Sequence, residues 1–369
     1  LSGTPISVLV VDDSAMMRSL VGRIVESGPG TSLAGKAMHG AFALKKLETL
    51  DPDVIVLDLE MPVMNGIEFL KERKRRGIAI PVIVLSSIAK KGAQVTMEAL
   101  ALGASDFILK PSGSVSSDIH IVAEKLLQLI RSLGSRYRLK RGGKPPVPVV
   151  REYTELQTQL RAKPPPVKPI EPGIQPGRIE LVAIGVSTGG PNALRKVFAQ
   201  IGPELPVPVV IVQHMPPGFT SEFAKSLDRV CPLAVKEAKD GDLLTPGSVL
   251  IAPGDRHIVV TRRSGTPRVE LRDDGLRNGH RPSADVLFAS VAAHYRNHAL
   301  GVIMTGMGKD GAVELGTMRR TGSITIGQDA ESSVVYGMPK VAYEMGHVMQ
   351  QVSLKEMADT ILRIVTEHR

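Results

Sequence analysis

At 369 residues, 43% hydrophobic and 22% charged, the chain has the composition of a globular protein and is too long for a single hydrophobic core. With no Trp, five Tyr and seven Phe it lacks the rings that stacking platforms for single-stranded nucleic acid require, and a lone Cys231 excludes a disulfide framework and a Cys-based zinc site. The formal net charge of +9 is concentrated: residues 131–178 carry eleven Lys and Arg against three Glu, together with nine of the 27 prolines. A solvated, Pro-rich tether accounts for that charge, and with no reading module beside it no nucleic-acid site is expected.

Residues 1–130 alternate short runs of Val, Ile and Leu with amphipathic stretches. Runs at 6–11, 54–57, 82–85 and 107–109 predict strands, and 15–26, 66–75, 94–102 and 119–133 predict helices. Such alternation indicates a parallel sheet covered on both faces, in a flavodoxin-like arrangement of five strands. The tether follows over 131–178, with a short helix at 152–161. From 179 to 369 the alternation resumes in a second doubly wound, Rossmann-like α/β domain. Its strands are predicted at 181–185, 207–213, 249–252, 300–305 and 324–327, and its helices at 192–200, 221–228, 283–294, 311–321 and 354–368. A hairpin joins 257–262 to 269–272 across Ser264-Gly265. No apolar run approaches the ~18–20 residues of a membrane span, and no signal-peptide layout opens the chain, so the cytoplasm is the expected compartment.

In a parallel sheet the strand ends on one edge lie together, which gathers Asp12, Asp13, Asp58, Ser86 and Lys110 in the first domain. Two carboxylates ~4–5 Å apart repel by roughly 3–4 kcal/mol at an effective dielectric near 20. Such a cluster calls for a cation, and Mg²⁺ suits carboxylates and phosphate oxygens. Taken singly, each Asp is a turn former or a helix cap.

The strand at 181–185 runs into Gly185-Val186-Ser187-Thr188-Gly189-Gly190-Pro191. Three readings fit this segment alone: a dinucleotide-binding turn, a tight turn with Ser187 as helix cap, and a G-x-S-x-G nucleophile turn. The first is weakened by Ser187, which stands where a glycine should let pyrophosphate approach. The remaining strand ends favour the third, because they supply His214 and Asp310, and Ser, His and Asp on one sheet edge form an acyl-transfer triad. The order Ser…His…Asp departs from that of α/β-hydrolases. Candidate oxyanion donors are the backbone N–H groups of Thr188, Gly189 and Met307.

Val10-Val11-Asp12-Asp13-Ser14, Leu57-Asp58-Leu59-Glu60-Met61-Pro62, Leu85-Ser86-Ser87 and Leu109-Lys110-Pro111 resemble the two-component receiver family along about 120 residues. Ser187-Thr188-Gly189-Gly190, Gln213-His214-Met215-Pro216-Pro217-Gly218, Ala252-Pro253-Gly254-Asp255-Arg256-His257, His280-Arg281-Pro282-Ser283-Ala284-Asp285, Thr305-Gly306-Met307-Gly308-Lys309-Asp310 and Tyr336-Gly337-Met338-Pro339 resemble the catalytic domain of the chemotaxis methylesterase family, CheB.

The resemblance implies Asp58 as aspartyl-phosphate acceptor, with Mg²⁺ held by Asp12, Asp13, Asp58 and the Glu60 carbonyl. It further implies Ser86 and Lys110 as phosphoryl sensors, Phe107 as the aromatic switch and a histidine kinase as phosphodonor. For the second domain it implies hydrolysis of glutamate γ-methyl esters and deamidation of glutamines on chemoreceptor cytoplasmic helices, with no cofactor, and a receiver that covers the cleft until phosphorylated. A monomer without membrane insertion is expected. Two alternatives stay open on sequence: an esterase of this fold acting on a methylated receptor outside chemotaxis, and a non-enzymatic response regulator.

Overall fold

The runs of Val, Ile and Leu form strands because β-branched side chains suit a pleated surface buried on both faces. The computed structural model describes residues 4–87, 89–110, 118–142, 170–171, 173–263 and 265–369, which fall into two compact units, Leu1–Ala162 and Lys163–Arg369. In the first unit, β1 (Ile6–Val11), β2 (Thr31–Ala37), β3 (Val54–Asp58), β4 (Val82–Ser86) and β5 (Asp106–Leu109) form a parallel sheet in the order β2-β1-β3-β4-β5. Helices α1 (Ala15–Ser27), α2 (Gly40–Leu47), α3 (Gly66–Arg75), α4 (Lys90–Ala101) and α5 (Asp118–Lys140) connect and cover it. The sequence does not single out β2, an edge strand whose middle residues are only half-buried and which therefore lacks an apolar run. Asn65 starts α3 with a capping box, its side chain accepting from Glu68 N while Glu68 accepts from Asn65 N.

The tether begins later than expected. Helix α5 runs on to Lys140 instead of stopping at Leu133, and Gly134 is the reason the sequence misleads. This glycine does not break the helix; it lets α5 lie against the sheet, since a Cβ there would come within 2.5 Å of Ile6 Cγ2 and 3.0 Å of Val54 Cγ2. Farther along, Arg138 pairs with the buried Asp53 and donates to the Thr4 and Pro5 carbonyls. The far end of the expected tether is likewise tied down: Ile170 N donates to Gly346 O and Gly177 N to Asn297 O, both at 2.9 Å. The short helix expected at 152–161 lies outside the described residues.

The second unit holds a seven-stranded parallel sheet in the order β14-β13-β12-β6-β7-β9-β8. Its strands are β6 (Leu181–Val186), β7 (Val209–Gln213), β8 (Ala234–Glu237), β9 (Ser248–Ile251), β12 (Ala299–Ile303), β13 (Ile324–Gln328) and β14 (Gln350–Val352). An antiparallel hairpin, β10 (His257–Arg263) and β11 (Thr266–Arg272), stands apart from it. The helices are α6 (Gly190–Phe198), α7 (Phe219–Asp228), α8 (Ala284–His294), α9 (Ala312–Arg320), α10 (Met338–Glu344) and α11 (Met357–Glu367). The short edge strands β8 and β14, and α10, are additions to the sequence reading; a three- or four-residue strand has no periodicity to detect. The core lies where α8 meets the sheet, with Leu287, Phe288 and Val291 fully buried beside Ala183, Val210 and Ile303.

Strand order fixes where sites form. The chain reverses direction across the first sheet between β1 and β3, and across the second between β6 and β12. Crevices open at such points beyond the carboxyl ends of the strands.

Candidate functional site

Two constellations occupy those crevices. In the first unit, Asp12 and Asp58 extend from β1 and β3, both buried, while Asp13 beside them is exposed. One carboxylate oxygen from each of the three lies within 4.8 Å of the others. Lys110, following β5, donates to Asp58 Oδ2 at 2.6 Å and stands 3.2 Å from Asp12 Oδ2. Arg18 holds the approach loop by donating to the Asp12 and Asp13 carbonyls. Glu60 N donates to Asp58 Oδ1 at 3.3 Å, which turns the loop after β3 back over the site.

Burial pushes the Asp58 carboxyl up, Lys110 pulls it down and Asp12 pushes it up again; the outcome is a carboxyl raised from its ordinary value. Lys110 is raised, because attraction to Asp58 and Asp12 outweighs the burial that opposes its charge. Three carboxylates against one ammonium leave the site short of positive charge. Asp12 Oδ2 is buried without a hydrogen bond. Among the described residues its one partner is the Lys110 ammonium, 3.2 Å away, and three convergent carboxylate oxygens are a donor set of the kind Mg²⁺ takes, so the residues present fit that ion. A cavity of about 20 Å³ lies beside Asp58, lined by Ser86, Lys110 and Leu59. The Ser86 hydroxyl is turned toward Thr96 Oγ1, 2.6 Å away, which itself donates to Gly92 O. Phe107 is buried in β5.

In the second unit, Ser187 follows β6 and His214 follows β7, one step beyond the paired residues Val186 and Gln213. Ser187 N donates to Thr305 O, which joins the β6 end to the β12 end. The N-cap of α6 is Gly189, so the helix-cap reading of Ser187 does not hold. His214 Nε2 lies 2.8 Å from Asp310 Oδ2. Asp310 does not cap the helix that follows it, whose N-cap is Gly311; its carboxylate caps α8 instead. Ala284 N donates to Oδ2 at 2.6 Å, Asp285 N to Oδ1 at 3.4 Å and Ser283 Oγ to Oδ1 at 2.6 Å. Burial pushes the Asp310 carboxyl up, but the bonds from His214, Ser283 and Asn278 prevail and hold it well below the usual range. An ionised Asp310 only accepts, so the proton of His214 sits on Nε2. The lone pair is then on Nδ1, which is buried and has no hydrogen-bond partner.

Thr188 is buried, Gly189 adopts φ +77° and Met307 is half-buried. Gly306 passes so close to Ser187 that a Cβ there would lie 2.9 Å from Ser187 Cβ, which brings the Met307 loop over the serine. Among the described residues, the Thr188 and Met307 N–H groups donate to no protein acceptor.

Several site residues were not identified from the sequence. Gln213, buried at the end of β7, donates to both the Ser187 and His214 carbonyls, and Gln328 accepts from Thr305 N. A polar residue closing an otherwise apolar strand was the available signal. His280 stacks on His214 with ring centroids 3.9 Å apart and planes at 14°. Asn278, Ser283 and Asp285 surround Asp310 and gave no sign of it by spacing. A half-buried serine on the strand end next to that of a histidine with a free Nδ1 lone pair, together with unclaimed N–H groups, has the parts for nucleophilic attack on a carbonyl.

The CheB methylesterase family matches residues 182–361, and the response regulator receiver domain matches residues 8–119. A protein-glutamate methylesterase/protein-glutamine glutaminase of Treponema denticola is 56% identical, covering 97% of this chain and 98% of its own. Its counterpart in Treponema pallidum is 53% identical, covering 97% and 96%. Among solved structures, the Thermotoga maritima CheB methylesterase catalytic domain aligns with a TM-score of 0.50 at 37% identity, covering 51% of this chain and 99% of that one.

Proposed function

The chain belongs to the CheB family of receiver-linked protein-glutamate methylesterases/protein-glutamine glutaminases, and we propose that it hydrolyses glutamate γ-methyl esters and deamidates glutamines on chemoreceptor cytoplasmic helices, switched by phosphorylation of Asp58. One observation carries the catalytic part: on the strand end next to that of Ser187, His214 offers a buried, unpartnered Nδ1 while Asp310 holds its other nitrogen.

In this mechanism Ser187 Oγ attacks the side-chain carbonyl carbon as its proton passes to His214 Nδ1. Asp310 stabilises the imidazolium and keeps the ring oriented. The carbonyl oxygen becomes an oxyanion facing the N–H groups of Thr188, Gly189 and Met307. Collapse breaks the C–O or C–N bond, and the imidazolium proton leaves with methanol or ammonia. Water, deprotonated by His214, then cleaves the acyl-enzyme to free glutamate and restores Ser187.

In the receiver, Asp58 takes the phosphoryl group from a histidine kinase. Asp12, Asp13, Asp58 and the Glu60 carbonyl would hold Mg²⁺, which neutralises phosphoryl oxygens when bound. Lys110 pairs with the phosphoryl group, and Ser86 exchanges its bond to Thr96 for one to a phosphoryl oxygen; the resulting loop movement lifts a receiver block on the cleft. We place the protein in the cytoplasm, acting as a monomer; no described helix is long and apolar enough to cross a membrane.

The decisive measurement is methanol release from methylated receptor by Ser187→Ala. A loss of about 10⁴-fold or more is expected, and activity within tenfold of the unaltered protein refutes the assignment.

A further inference from the structure

The chain turns sharply at Arg277-Asn278-Gly279-His280. Arg277 N donates to His280 O at 3.1 Å and His280 N to Arg277 O at 2.9 Å, with φ of +52° at Asn278 and +79° at Gly279. Two positive φ values in a two-residue loop define a type I′ turn, the geometry that Asn-Gly favours. This turn sits beside the base and its carboxylate: His280 stacks on the His214 ring, and Asn278 reaches Asp310.

Asn278 spends both amide hydrogens on carboxylates. Its Nδ2 donates to Asp310 Oδ1 at 2.9 Å and to Asp285 Oδ2 at 2.6 Å. Asp285 is buried in the first turn of α8, and its other oxygen accepts from Glu314 N, in the first turn of α9, at 3.0 Å. An amide with oxygens on both sides has one orientation only, since turning it over would set its carbonyl against a carboxylate.

We propose that Asn278 and Asp285 form a positioning pair for ester hydrolysis: Asp285 orients the Asn278 amide, and Asn278 fixes Oδ1 of Asp310 so that Oδ2 stays aimed at His214. Asp285 also places a second negative charge behind Asp310 without touching the imidazole. The pair thus acts on the basicity of His214 in two opposing ways. The Asn278 hydrogen bond draws charge from Asp310 and lowers that basicity, and the Asp285 charge raises it. The other ionisable groups on this side are His280, which faces His214 from the turn, Glu314, which faces Asp285 from α9, Arg277 of the turn, 3.8 Å from Glu314, and Arg272 and His294, which line one cavity with Asp285.

The inference rests on the triad reading, and two variants test it separately from that reading. Asn278→Gly keeps the left-handed turn, because glycine accepts positive φ, and removes only the amide; the site is at the surface, so the fold survives. Asp285→Asn removes the charge at nearly constant shape; its one oxygen can keep the Asn278 bond only if its NH2 turns to Glu314 N, whose bond is then lost. With the full chain and methylated receptor, Asn278→Gly lowers kcat/KM about tenfold through kcat, the scale of one hydrogen bond to a charged group at a half-exposed position. Its KM stays within about threefold, and the acid limb of the pH profile moves to higher pH. Asp285→Asn moves that limb to lower pH. Opposite displacements are not produced by a merely structural loss. Limbs that stay in place or move together overturn the proposal, as does Asn278→Gly within about twofold of the unaltered protein. Should Asp285→Asn fail to fold, the limb shift in Asn278→Gly decides alone. An active Ser187→Ala brings down the triad itself, whereas an inactive Ser187→Ala with unaltered limbs brings down only the pair.

Discussion

Asp58 and Asp310 are both buried aspartates at the topological switch point of a parallel sheet, yet the two units treat the same side chain in opposite ways. Asp310 receives donors from three directions: two N–H groups at the start of α8, the Ser283 hydroxyl and Asn278 amide, and the His214 ring. Its charge is settled, and its carboxyl is held well below the usual range. Asp58 has Lys110 and one long bond from Glu60, with Asp12 and Asp13 as neighbours, and its carboxyl is raised. One site is finished by its own chain, as a catalyst that turns over without added charge must be. The other is left short of cation, as the proposed acceptor of a phosphoryl group that is later lost must be.

The comparison is broken most severely at the finished site. Asp310→Asn keeps the shape but turns an acceptor into a side chain that also donates, so His214 loses the partner that fixes its tautomer. A fall of about 10⁴-fold in kcat is expected on methylated receptor. A fall under tenfold would show that the five hydrogen bonds around Asp310 serve only to cap α8. At the unfinished site, Asp58→Asn removes the acceptor oxygen, and stimulation by a small phosphodonor such as acetyl phosphate disappears. Equal stimulation of Asp58→Asn and the unaltered chain refutes control through this carboxylate.

How much of this was legible in the sequence differs between the two sites for a physical reason. The receiver site is built almost entirely from residues at strand ends, and strand ends are what apolar runs reveal; Asp12, Asp58, Ser86 and Lys110 all stand where the pattern puts them. Ser187 and His214 were legible for the same reason. The support around Asp310 was not, because Asn278, Ser283 and Asp285 reach it from 25 or more residues away, through a turn and a helix start that only tertiary packing brings near. Gly134 shows the converse error. A glycine reads as a helix breaker, but here it answers a close approach to Ile6 and Val54 that local sequence does not encode.

A smaller effect sharpens the contrast in charge. If the receiver site lacks only a cation, Mg²⁺ should stabilise the receiver and leave the catalytic unit alone. At a free concentration a hundredfold above its dissociation constant the gain is about 2.7 kcal/mol. It is read as slower amide exchange in β1 and β3 with no change in β6 and β12. Asp12→Asn should abolish most of it, because it removes one of the three carboxylates whose oxygens converge there. Equal protection of both sheets by Mg²⁺ would place the ion elsewhere.

The smallest effect is the response of the two units to acid, and it has opposite signs. Asp310 has a folded-state pKa below that of the unfolded chain, so the stability it lends is present above the unfolded value, near 3.9, and is lost as pH falls through the folded value. Asp58 has a folded-state pKa above the unfolded one, so its contribution is fully present below the unfolded value and is lost as pH rises through the folded value. Lowering pH through the folded-state value of Asp58 therefore relieves the receiver of a charge it holds at a cost, whereas below the unfolded value the catalytic unit begins to lose one it holds at a gain. Amide exchange in the full chain measures both at once, since the intrinsic pH dependence of exchange cancels in a ratio. Protection of β1 and β3 relative to β6 and β12 should rise as pH falls. Mg²⁺ should flatten the receiver's share of that rise, because a cation beside Asp58 pulls its pKa back down. A ratio that falls with acid, or one indifferent to Mg²⁺, would mean that the two aspartates are not held in opposite ways.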